Sequence, residues 1–68
     1  MDLKNWLDRQ GITAAEIGRR LGLSESAVSR HISGERFPGP EIMAEYVKYT
    51  HGEVTAGDFY RVRARRAA

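Results

Sequence analysis

The chain has 68 residues, 29% of them charged, no cysteine and a formal net charge of +2. A chain of this length builds one small core, burying roughly 60% of its unfolded surface for a stability of about 3–5 kcal/mol. Disulfides and thiolate metal sites are excluded, and no apolar run approaches the roughly 18–20 residues of a membrane span. Met1-Asp2-Leu3-Lys4 lacks the apolar core of a secretory signal, so a cytoplasmic protein is expected.

The small net charge hides an asymmetry. Residues 1–60 carry seven Lys or Arg against all nine acids, a balance of −2, while 61–68 carry four Arg and no acid. The chain therefore divides into an expected folded unit over 1–60 and a basic tail over 61–68.

In chain order, residues 2–9 predict a short helix capped by Asp2, with Leu3, Trp6 and Leu7 on one face and Trp6 in the core. Ile12 then packs back across Thr13 as part of a hydrophobic staple. Thr13-Ala14-Ala15-Glu16 is a capping-box sequence, in which the Thr hydroxyl accepts from the Glu16 amide and the Glu carboxylate returns to the Thr13 amide. Ile17, Gly18 and Leu21 share a face of the helix it opens. Gly22 closes that helix with a positive φ, and Leu23 plugs the turn. Ser24 caps the next helix, whose buried side is Ala27, Val28 and Ile32 and whose end is Gly34. Its outer face is Glu25, Ser26, Ser29, Arg30 and Ser33. Those short hydrogen-bonding groups suit the edges of bases better than they suit packing.

After the polar loop 35–39, Pro40 fits the first position of a helix running to about Thr50. Its apolar residues, Ile42, Met43, Tyr46, Val47 and Tyr49, spread more widely than one core contact needs. Met43, Tyr46, Val47 and Tyr49, with Phe59, are the candidates for a subunit interface. His51-Gly52 ends this helix. Thr55-Ala56-Gly57-Asp58 is a second capping box, with Asp for Glu, opening a short last helix through Phe59 and Tyr60. Val54 and Phe59 are expected to close the core. The fold class is thus all-α, a compact five-helix domain without sheet.

Residues 12–34 resemble the helix-turn-helix of Cro and phage-repressor regulators, including the small Xre-like proteins. The resemblance rests on Thr13, Ile17, Gly18, Leu21-Gly22-Leu23, Ser24, Ala27-Val28-Ser29-Arg30 and Gly34. It covers about a third of the chain and weakens after Gly34. It implies a recognition helix at about 24–33 lying in the major groove, with the preceding helix across the phosphate backbone. Carried over position by position, Glu25, Ser26, Ser29 and Arg30 meet bases or nearby groups, with Arg30 suited equally to guanine or phosphate. Thr13, Arg19, Ser24, Ser33 and Arg36 complete the expected DNA-binding set. One of Arg19 and Arg20 is expected on phosphate and the other in solvent. Arg61, Arg63, Arg65 and Arg66 are candidate phosphate contacts of a tail that reads either as a solvated, frayed helix end or as a phosphate-tracking arm or minor-groove insert.

Three positions depart from the family pattern. Glu25 stands where Gln is common; a carboxylate cannot donate to adenine but can accept from cytosine N4, or simply favour the helix N-terminus. Ala14 replaces a phosphate-touching Gln, leaving the backbone amides near Thr13 to serve a phosphate. His31 occupies a usually apolar position and is expected to be a partly buried histidine.

His31 and His51 have no acid or thiol partner at motif spacing, and the motif serines have no placed base. No enzyme activity, metal, cofactor or small-molecule ligand is therefore expected. The resemblance implies a transcriptional repressor of the phage or mobile-element kind, a homodimer on double-stranded DNA, nucleoid-associated, reading a pseudo-palindrome. Two alternatives share the fold: an antitoxin-like or anti-repressor protein-interaction module, and an architectural DNA binder driven by the arginine tail.

Overall fold

A computed structural model describes residues 1–67. Five helices follow one another: α1 (Leu3–Gln10), α2 (Ala14–Leu21), α3 (Glu25–Ser33), α4 (Pro40–Tyr49) and α5 (Ala56–Ala67). No strand occurs among the described residues. Local chemistry sets most of the boundaries. The Asp2 carboxylate accepts from the Asn5 amide at 2.9 Å to start α1. Pro40 supplies the preset φ that starts α4 without a side-chain cap.

Each helix contributes to one core: Leu3, Trp6 and Leu7 from α1, Ile17 from α2, Val28 from α3, Tyr46 from α4 and Phe59 from α5. Val54, in the α4–α5 loop, is fully buried among them. Tyr46 and Phe59 pack ring to ring at 5.2 Å. The Trp6 ring meets Tyr49 edge-on at 5.8 Å, and its indole N–H donates to Glu53 at 3.0 Å. Trp6 is thus a core residue with its polar atom satisfied.

Two of the expected interface residues, Tyr46 and Phe59, lie in the core, which for Phe59 agrees with its other expected role. Tyr46 is 0% and Phe59 3% exposed, so neither offers a surface to a second subunit. The broad apolar stripe of α4 turns Tyr46 fully inward because both α3 and α5 pack there. Met43, Val47 and Tyr49 are half-buried at its edges.

The last helix is longer than the short one expected. It runs unbroken from Ala56 to Ala67 and includes the arginine run. Arg and Ala are good helix formers, and no Gly or Pro follows Gly57 to stop propagation. Ala68, the last residue of the expected tail, lies outside the described residues.

The two capping boxes differ. At Thr55–Asp58 the box is reciprocal: the Asp58 carboxylate accepts from the Thr55 amide at 2.8 Å, and the Asp58 amide donates to the Thr55 hydroxyl at 3.4 Å. At Thr13–Glu16 only the threonine half forms, at 3.1 Å, and the Glu16 carboxylate instead faces Arg20 at 3.5 Å. Burial pushes the Asp58 carboxyl up, but the Thr55 amide and hydroxyl and the Met1 amino group outweigh it. The net result lies below the usual carboxylate value.

Candidate nucleic-acid interface

The candidate surface is built from α2, the turn after it, and α3. Gly22 takes φ +73°, and the Leu23 amide donates back to the Gly18 carbonyl at 2.7 Å, closing α2 tightly enough for α3 to start two residues later. A Cβ on Gly18 would stand 2.7 Å from the Leu23 carbonyl oxygen. The group that demands a small residue at 18 is therefore the turn backbone itself.

Ser24 caps α3, accepting from the Ala27 amide at 3.1 Å. On the inner side of α3, Val28 is 0% and His31 5% exposed. His31 Nδ1 is hydrogen-bonded to the Tyr46 hydroxyl at 2.8 Å, and the rings meet edge to face. Burial, then the nearby Arg36 charge, holds the His31 imidazole below its ordinary value, and burial pushes the Tyr46 hydroxyl up. A neutral imidazole then accepts from the tyrosine O–H.

With its inner side committed, α3 presents Glu25, Ser26, Ser29, Arg30 and Ser33 outward, all exposed. Thr13 and Ser24 are exposed too; their oxygens accept from helix amides, which leaves each O–H proton available to a phosphate. Arg30 faces Glu35 at 3.9 Å, beyond the end of α3, and does not depend on Glu25, five residues back. The Ser33 hydroxyl donates to the Arg30 carbonyl at 3.2 Å and accepts from the Glu35 amide at 3.4 Å, so it finishes the helix end.

The two arginines of α2 part company. Arg20 pairs with Glu16 and lies 6.0 Å over the Tyr49 ring. Arg19 has no ion pair among the described residues and is exposed, as is Arg36. The arginines of α5 divide as well. Arg61 is paired with buried Asp58, Arg65 stands 3.6 Å from Asp2, and Arg63 lies 5.6 Å over Phe37.

Sequence reasoning placed the α3 face but missed three partners. Tyr46 for His31, Glu35 for Arg30 and Phe37 for Arg63 all come from elements with no motif signal. Among the described residues no group of three or more His, Cys, Asp or Glu could hold a metal ion. No helix there is long and apolar enough to cross a membrane.

A family model described as helix-turn-helix matches residues 3–54, from the start of α1 to the buried Val54. No curated protein and no solved structure matches the chain.

Proposed function

The chain belongs to the Xre/Cro-like helix-turn-helix family of DNA-binding transcription regulators, and from that premise we propose that it is a sequence-specific repressor acting as a homodimer on a pseudo-palindromic operator. The observation that carries this reading is the outer face of α3, where Glu25, Ser26, Ser29 and Arg30 are exposed while Val28 and His31 fix the opposite side. A helix held by its inner face and offering short polar groups fits a major groove. Thr13 and Arg19 at α2 and Arg36 beyond α3, all exposed, are the residues proposed for the flanking phosphates.

Dimer formation follows from the size of the module. One short helix makes few base contacts, and two-fold symmetry doubles them, setting half-site centres about 34 Å apart. Met43, Val47 and Tyr49, half-buried along α4, are the residues proposed for the subunit contact.

Selection from a random duplex pool at about 150 mM salt tests this reading. An enriched inverted repeat that Arg30→Ala abolishes supports a dimeric, sequence-reading regulator. Binding without enrichment would replace it with an architectural role, and no binding would point to a protein partner.

A further inference from the structure

The buried stripe of α5 is Asp58, Phe59 and half-buried Val62. Its four arginines do not share one environment around that stripe. Arg61 and Arg65, one turn apart, lie on the side where Asp58 and Asp2 neutralise them. Arg63 lies on the other side, and Arg66, four residues after Val62, continues the line of the stripe one turn further; both are exposed and neither has an ion pair among the described residues.

That second side runs beside the end of α3. A Cβ on Gly34 would come within 3.1 Å of the Val62 carbonyl and 3.3 Å of the Arg63 Cα, so the two helices touch where α3 stops. The Arg63 guanidinium sits 5.6 Å over Phe37, one residue beyond exposed Arg36. An aromatic face under a guanidinium restricts its rotamers while leaving its N–H groups outward. Arg63 is thus held at the exit of the recognition helix, against a ring that follows exposed Arg36 in sequence.

Resting on the DNA-binding reading above, we infer that α5 carries two functional sets of arginine: Arg63 and Arg66 bind DNA phosphates beside the end of α3, whereas Arg61 and Arg65 fasten α5 to the body. The basic run is then a folded extension of the interface in which half the charge faces DNA. The body over residues 1–60 has a balance of −2, so approach to a polyanion draws on this unneutralised pair.

The test uses the full chain and a mixed-sequence duplex of about two helical turns, with affinity measured by fluorescence anisotropy across a salt series. Two double variants are compared, Arg63→Ala/Arg66→Ala and Arg61→Ala/Arg65→Ala. They have the same net charge, so any difference between them reports position. All four side chains are exposed, and circular dichroism confirms folding. The first pair is expected to lower the slope of log K against log salt by about 1.8. The second is expected to keep the wild-type slope and melt a few degrees earlier. Equal slope losses in both, or none in the first while the wild type binds, would overturn the division. A wild type that binds no duplex at any salt would remove the DNA-binding reading itself.

Discussion

His31 on α3 and Tyr46 on α4 are joined in the core by a hydrogen bond of 2.8 Å between Nδ1 and the phenolic oxygen. The bond sets more than local stability. Together with fully buried Val28 it commits the inner side of α3, which leaves Ser29 and Arg30 at the surface. A position that the family pattern leaves to an apolar residue is here a polar clamp whose partner lies 15 residues on.

Removing both halves of this pair is expected to cost less than the two single removals added together. Tyr46→Phe strands Nδ1 and loses about 1–3 kcal/mol. His31→Leu strands the phenol at similar cost. The double variant His31→Leu/Tyr46→Phe should lose clearly less than the sum of the two, read as a coupling energy from urea denaturation. Simple additivity would show that the pair is not coupled.

The same histidine gives the stability a sign with pH. Its folded pKa is lowered by burial and then by Arg36, so the unfolded chain takes up the proton first, near pH 6.5. The contribution is present above that value and falls away as pH drops toward the folded pKa, by no more than about 1.4 kcal/mol per pH unit. Asp58, also held low, adds a separate loss at more acid pH, below the ordinary carboxylate range. Urea midpoints between pH 7.5 and 5 should therefore decline for the wild type and stay flatter for His31→Leu.

Gly18→Ala should be the most damaging single methyl group in the motif. The new Cβ would meet the Leu23 carbonyl at 2.7 Å, a backbone atom held by the turn. Relief requires the turn backbone to shift away from α2, at about 1–3 kcal/mol by analogy with overpacked cores. Thermal melting and duplex binding should fall together. Unchanged melting would mean that the turn yields freely.

His51→Gly should move stability the other way. His51 has φ +54° and closes α4: its amide donates to the Lys48 carbonyl at 3.2 Å, and the Gly52 amide to Val47 at 2.8 Å. A side chain in this left-handed region costs about 1–2 kcal/mol, part of which glycine returns as unfolded-state entropy. A net gain of about 0.5–1 kcal/mol is expected, seen as a higher melting temperature with DNA affinity unchanged.

The helix-turn-helix was legible from residues alone because its signals are local. Thr13 and Ser24 name their helix starts by side-chain chemistry, Gly22 and Gly34 name the ends by φ, and the 3.6-residue period separates Val28 from Ser29 and Arg30. Local propensity also carries α5 but does not fix its length, since Arg and Ala in sequence are equally a solvated tail or a continuing helix. The rest depends on contacts distant along the chain. That Tyr46 lies wholly in the core, that Glu35 faces Arg30, and that Arg61 and Arg65 are neutralised while Arg63 meets Phe37 were decided by packing. Caps and periodicity act within a turn of helix and so are written in neighbouring residues. The choice between core and surface, or between a paired and an unpaired arginine, depends on which groups tertiary folding brings together.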